Sequence, residues 1–435
     1  MAEIGSSFKK KDGNSIEKND RLSLASLTRK HYILFALHNS FPYHSTGYAI
    51  RSHHILKTLQ RGGISVLAAT RLGYPWNLQE FAQQPWQEID EVEGIQYMRL
   101  IPTQAENLRQ SRNFLYMKAY ADRLVELGRK YGVAAIHSAS NFVNGLAGLS
   151  AARRLGVPFT YEMRGLWYLS RMVREPSFAY SQVCEYERKM EATVVCEADT
   201  VVTLSEALRQ ELIRWGVETG KVTLIPNAVD INKFVPQRCD RELKQKLGLQ
   251  GKFVVGFIGS LKDYEGLDLL VEAVGQLASS GLSIGLLVVG DGYSRPRLEE
   301  VAAAWGRECV VFVGRVPFAE VNRYYTICDV CAFPRRGYQV CRYVPPLKPL
   351  EAMAMEKPVI VSSLLPLLEM VEDGNTGLVC GVDDGESLQA AIARLYQHPS
   401  MAATLGKKAR QWVEENRSWE KIAAKYVAMY GKLGR

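Results

Sequence analysis

Five short apolar runs in the second half of the chain restrict its fold more than any other feature. They occupy residues 253–258, 286–289, 310–313, 330–333 and 359–361. The first four stop at Gly259-Ser260-Leu261-Lys262, Gly290-Asp291-Gly292, Gly314-Arg315 and Pro334-Arg335. Runs this short and this apolar fit strands covered on both faces, and helical stretches such as residues 266–279 lie between them. That alternation predicts a doubly wound parallel sheet, with a ligand along the carboxyl edge of the strands. The small and basic residues at that edge favour an anionic ligand.

The first half predicts a second sheet of the same kind. Residues 31–38 are expected to form a strand. A loop at 39–47 then leads to a helix over 48–61, with Ile50, Leu56 and Leu59 as core positions. Gly62-Gly63 stops that helix before a strand at 64–69, which completes a βαβ unit. Gly47 falls in the loop where such sheets take ligands, although a glycine there is also an ordinary turn residue. Further strands are expected at 134–137, 159–162, 201–204 and 222–225. Ser205 is the expected N-cap of a helix over 206–215. His137, Arg164 and Asn227 then fall at strand ends along one edge, which suggests a cleft wall.

A length of 435 residues suits two such domains. The expected division is a polar, basic, flexible tail at 1–30, a first Rossmann-like domain at 31–235 and a second at 245–416. The charged, weakly periodic stretch 231–250 marks the linker. A final helix at 417–435 is expected to return to the first domain through Trp419. Residues 71–130 are less regular. Their basic and aromatic residues, Arg109 and Arg112 among them, fit a membrane-facing or acceptor-binding surface, or a solvated helix over 111–130.

No apolar run approaches the roughly 18–20 residues of a membrane span, and the first residues lack an apolar signal region. A cytoplasmic chain is expected, with contact at the inner membrane face left open. The charge of +8 is mild; it suits a solvated basic surface, an anionic lipid face or a phosphorylated substrate, and no nucleic-acid module pattern accompanies it. The eight dispersed cysteines are expected to be free thiols, with Cys328 and Cys331 a core pair.

Residues 343–362 concentrate the chemistry. Pro349 suits the opening of a short helix over 351–357, and Pro358 ends it before the strand at 359–361. Lys348 and the amides at the start of that helix, at Leu350 and Glu351, would attract phosphate. Glu351 is placed to accept from a hydroxyl pair such as a ribose. A capped surface helix would look the same. The G-x-G-x-x-G, P-loop, H-E-x-x-H and G-x-S-x-G motifs are all missing, and so is any D-x-D pair that would suggest a metal-bound diphosphate. What remains is a cationic, amide-rich edge of Lys262, Arg315 and Lys348, suited to charge developing on a departing diphosphate.

Several stretches together carry a family resemblance: Tyr161-Glu-Met-Arg-Gly-Leu-Trp167, Ala198-Asp-Thr-Val-Val-Thr-Leu-Ser205, Ile225-Pro-Asn-Ala-Val-Asp230, Leu287-Val-Val-Gly-Asp-Gly292, Phe312-Val-Gly-Arg-Val-Pro317, and residues 259–270 and 346–362. From residue 31 onward the chain resembles the retaining, metal-independent glycosyltransferases of the GT-B fold, family 4. The resemblance implies two Rossmann-like domains facing a cleft and a nucleoside-diphosphate sugar as donor substrate, with no cofactor. It also implies a glycan or lipid-linked saccharide acceptor in surface polysaccharide synthesis. By position, Glu351 would hold the ribose, and Leu347, Lys348 and Leu350 would meet the diphosphate. Gly47, Asn227 and Gly259 would approach the donor, and Gly314 and Arg315 the base. His137 and Arg164 would face sugar and acceptor, and Arg164, Lys262 and Lys348 would offset the leaving charge. Tyr343, Ser260 and Glu265 depart from the family pattern, which has acidic or basic residues at the first two positions and lysine at the third. A nucleotide-sugar epimerase and a degenerate scaffold subunit are the alternative readings.

Overall fold

The computed structural model describes residues 32–103, 114–306 and 308–433. The expected tail at 1–30, together with Arg109 and Arg112, lies outside the described residues.

The first sheet contains β1 (Tyr32–Leu37), β2 (Val66–Thr70), β3 (Ile89–Val92), β4 (Ile95–Met98), β5 (Val133–Ala139), β6 (Phe159–Met163), β7 (Thr200–Thr203) and β8 (Val222–Leu224). Its order is β3-β4-β2-β1-β5-β6-β7-β8, parallel except for the β3–β4 hairpin. The second contains β9 (Phe253–Ile258), β10 (Ile284–Val289), β11 (Val310–Gly314), β12 (Val330–Phe333), β13 (Val359–Ser362) and β14 (Leu378–Cys380). Its order, β11-β10-β9-β12-β13-β14, is parallel throughout. In each sheet the chain runs outward on one side, then crosses to the other. The crossing points lie between β1 and β5 and between β9 and β12, where open α/β sheets leave a crevice at their carboxyl ends.

The expected strands appear within two residues of their predicted limits. The β3–β4 hairpin was not anticipated: its strands, Ile-Asp-Glu-Val and Ile-Gln-Tyr-Met, are short and their apolar residues are interrupted by polar ones, and they turn at Glu93-Gly94, both at positive φ. Helices Trp167–Arg174 and Gln182–Glu197 were likewise missed, and the linker holds a helix, Arg241–Lys246, capped by Asp240. The helix expected over 351–357 instead spans Lys348–Ala354, with Pro349 at its second position. Glu356 takes a left-handed φ of 55°, so the helix ends before Pro358 can stop it. Ser205 caps Glu206–Arg214 by accepting from the Leu208 amide at 3.1 Å.

Small residues let the first domain close. Helix Phe142–Leu155 lies on β5 and β6 with Gly148 against the sheet; a Cβ there would stand 2.0 Å from Ser138 Oγ and 3.0 Å from the Phe159 ring. All eight cysteines are free, and Cys328 and Cys331 are buried in the second domain's core.

The chain crosses between domains twice. After Pro399–Asn416, helix Trp419–Leu433 packs against Gly47–Arg61 of the first domain. Trp419 stacks on His54 there, with ring centroids 5.1 Å apart and planes 6° from parallel. Tyr343 adds a second tie. Its carbonyl accepts from Ser205 Oγ at 2.5 Å, and its hydroxyl donates to Glu211 Oε2 at 3.0 Å. Ser205 therefore caps its own helix and holds the other domain. Among the described residues, no helix is long and apolar enough to cross a membrane.

Overpacking at Gly148 should be costly. Gly148→Val is expected to destabilise the protein by about 1–3 kcal/mol, read as a lower midpoint in urea or thermal unfolding.

Candidate active site

The carboxyl edges of the two sheets face one another across a cleft of about 1070 Å³. Gly47, Arg164 and Asn227 line it from the first domain, and Gly259, Lys262, Leu347, Lys348 and Glu351 from the second. Gly47 and Leu347 almost touch across it: a Cβ on Gly47 would lie 3.2 Å from Leu347 Cδ1.

On the second domain, Lys348 turns toward Glu265, with Nζ 2.9 Å from Oε1, and lies 4.4 Å from the centre of the Phe257 ring. Gly259, at φ 150°, makes room for it, since a Cβ would meet the Lys348 stem at 2.2 Å. Arg335 Nε stands 3.7 Å from the other oxygen of Glu265. Burial would push the Glu265 carboxyl up, but Lys348 and Arg335 outweigh it and hold the pKa below the usual carboxylate value. Burial lowers the Lys348 ammonium. Burial also opposes the charge on Lys262, but Tyr264, Glu265 and Tyr293 overcome it and raise that pKa. Three basic side chains thus share one carboxylate, which leaves the second-domain wall positive. Glu265, where the family pattern has a lysine, is matched by charges already present.

Glu351 lies apart from that cluster. Its Oε2 accepts from Tyr325 at 3.1 Å. Burial raises its carboxyl to about 7, against the opposing pull of Tyr325, Lys348 and Lys233.

The first-domain wall rests on a buried carboxylate. Glu162, in β6, is fully enclosed. Its Oε1 accepts from Arg51 Nε at 2.6 Å and Arg164 Nε at 2.9 Å, and its Oε2 from His137 Nε2 at 2.8 Å and Tyr426 at 3.0 Å. Burial works against its ionisation, but Arg164 and Arg51 hold its pKa well below the ordinary value. Arg164 also donates to the Tyr48 carbonyl and to Ser52 Oγ, and its guanidinium sits 4.5 Å over the Tyr48 ring. Its Nη2 is left without a hydrogen-bond partner at the cleft wall.

Four expected site residues are placed elsewhere. His137 lies beneath the wall, fully buried, with Nε2 on Glu162 and Nδ1 2.8 Å from the Tyr430 hydroxyl. Burial lowers its pKa, so the neutral ring donates from Nε2 and accepts at Nδ1. Neither nitrogen remains for sugar or acceptor. Gly314 ends β11, the edge strand two places from β9, and Arg315 follows it; neither lines the cleft. Leu350 faces the core, and its amide donates to the Leu347 carbonyl at 3.0 Å, as the Glu351 amide does at 3.2 Å. The residues of that turn that line the cleft are Leu347, Lys348 and Glu351. Ile50, expected in the core, is half-buried and lines the cleft instead. Arg51, Glu162, Glu265 and Arg335 were missed as site residues. Arg51 and Glu162 sit in helix and strand runs, where a charge ordinarily signals a solvated face.

Comparison with known proteins agrees with this architecture. The model of a glycosyl transferase 4-like domain matches residues 46–228, and that of glycosyl transferases group 1 matches residues 252–398. The chain belongs to the group 1 glycosyl transferases, on the GT-B fold. It is 28% identical over 237 residues to a GDP-mannose-dependent alpha-(1-6)-phosphatidylinositol monomannoside mannosyltransferase of Mycolicibacterium smegmatis, covering 54% of this chain and 62% of that one. The chain spans about three fifths of the length of the curated relatives it matches first. Sucrose-phosphate synthase of Thermosynechococcus elongatus superposes with a TM-score of 0.77 at 24% identity, over 93% of this chain and 99% of that one. HepE of Anabaena, in complex with UDP and glucose, superposes with a TM-score of 0.71 at 18% identity, over 92% and 100%.

The raised carboxyls give the stability a pH slope. Glu351, and Glu191 buried in helix Gln182–Glu197, are both pushed by burial to about 7, above the ordinary carboxylate value of 4.5. Between those values the unfolded chain has released protons that the folded chain keeps, so stability should fall as pH rises from about 4.5 to 7. Glu351→Gln should flatten part of that fall in denaturant titrations at stepped pH.

Proposed function

We propose that the protein transfers a sugar from a nucleoside-diphosphate sugar to a glycan or lipid-linked saccharide, with retention at the anomeric carbon and without a metal ion. The carrying observation is the cleft itself. Two carboxyl edges meet there, with Arg164 on one wall and Lys262, Lys348 and Arg335 on the other. Such a groove favours a ligand that gains negative charge as it reacts.

In this reading the diphosphate lies between the Leu347–Lys348 turn and Lys262, and the ribose hydroxyls reach Glu351. The bond from C1 to the diphosphate oxygen breaks, and the acceptor oxygen joins C1 on the same face. The acceptor proton passes to the departing phosphate oxygen, so no separate base is required. Arg164 has an uncommitted N–H and offsets charge on the departing group or on the sugar. His137 has no direct part. Relatives named as GDP-mannose-dependent mannosyltransferases and as a capsular polysaccharide biosynthesis glycosyltransferase favour surface glycan or glycolipid synthesis as the setting.

Calorimetry with GDP and UDP, followed by a panel of their sugars, tests the reading. One nucleotide should bind in the micromolar range. Glu351→Ala should weaken it at least about tenfold with the thermal midpoint little changed, since a hydrogen bond to a charged group is worth roughly that much. Failure of both nucleotides to bind the wild-type protein would remove the assignment.

A further inference from the structure

The last helix of the chain reaches the core of the candidate active site. Tyr426 is fully buried, and its hydroxyl donates to Glu162 Oε2 at 3.0 Å while accepting from Arg51 Nη2 at 2.9 Å. It therefore touches both partners that hold the first-domain wall. One turn on, Tyr430 engages His137 at 2.8 Å, and His137 engages the same carboxylate.

Two chains of hydrogen bonds run from Tyr426 to the cleft. One passes through Glu162 to Arg164 Nε. The other passes through Arg51. All five guanidinium N–H groups of Arg51 have acceptors: Glu162, the carbonyls of Ile225 and Pro226, Asn227 Oδ1 and Tyr426. Because Asn227 Oδ1 accepts from Arg51 at 3.2 Å, its Nδ2 is turned toward the second domain, where it donates to the Pro345 carbonyl at 2.9 Å. Pro345 begins the run Pro345-Pro346-Leu347-Lys348 on the facing wall, and all four residues line the cleft.

We propose that Tyr426 is a positioning residue for glycosyl transfer, with the C-terminal helix setting Arg164 through Glu162 and the Pro345–Lys348 loop through Arg51 and Asn227. This rests on the donor-binding reading of the cleft. An enclosed hub of one carboxylate and two guanidiniums has little freedom to rearrange, since each group left unpaired would be costly. A change at its far side therefore appears at both cleft walls. The hydroxyl of Tyr426 is the link that can be removed while its ring, and the packing around it, stay in place.

The test uses Tyr426→Phe in the full chain, with GDP and UDP as calorimetric probes and GDP-mannose and UDP-glucose as turnover probes, read as release of nucleoside diphosphate to water. Nucleotide affinity per folded molecule should fall about three- to tenfold, and turnover at saturating donor about tenfold, less than the full worth of the hydroxyl's two hydrogen bonds to charged groups because the effect is relayed to the cleft. Asn227→Ala should lower affinity alone, and the double variant should lower it less than the product of the single effects. A purely structural tyrosine would shift the thermal midpoint and leave affinity and turnover of the folded fraction unchanged; that result overturns the proposal. Should Tyr426→Phe fail to fold, unchanged affinity in Asn227→Ala overturns it equally. If the wild-type protein binds neither nucleotide, the donor-binding reading falls and takes this one with it. If the wild type binds and the variants match it, only the positioning role falls.

Discussion

A carboxylate shut away from water is stable only where charge and hydrogen bonds replace the solvent it has lost. Glu162 meets that requirement with two arginines, a histidine and a tyrosine, contributed by a helix, the loop after β6, strand β5 and the C-terminal helix. The first-domain wall of the cleft is organised by this need. Arg164 stands where it does because Glu162 holds its Nε, and Asn227 faces the second domain because Arg51 holds its oxygen. The surplus positive charge of the hub belongs to the side that borders the cleft.

The second domain answers in the same terms with a smaller cluster. Glu265 sits between Lys348 and Arg335, and Gly259 lacks the side chain that would block the lysine stem. Departures from a family pattern at Glu265 and Tyr343 look like losses in one dimension. In three dimensions Glu265 is paired, and Tyr343 ties the domains together through Ser205 and Glu211.

The parallel sheets were legible because buried strands need continuous apolar residues, and their period differs from that of the helices between them. Gly47, Arg164, Asn227, Gly259, Lys262, Leu347, Lys348 and Glu351 were legible because they fall in the segments that follow strand carboxyl ends, where such sheets leave a crevice, and all of them line the cleft. His137 failed because a polar residue near a strand end gives no sign of its depth. It lies two residues before the end of β5, under the wall. Leu350 failed because one residue along a helix changes the face, and Arg315 because the strand it follows lies at the sheet's edge.

The sequence by itself determined the two alternating sheets, the edge on which each collects its basic and small residues, and the family to which they belong. These depend on local period and on order along the chain. Only the tertiary structure decided which charges meet. Arg51 and Tyr426 are 375 residues apart, and Lys348 and Glu265 belong to segments that follow different strands. No local pattern records such pairings, because they arise when burial brings distant ionic and polar groups together and leaves each to be satisfied by the others.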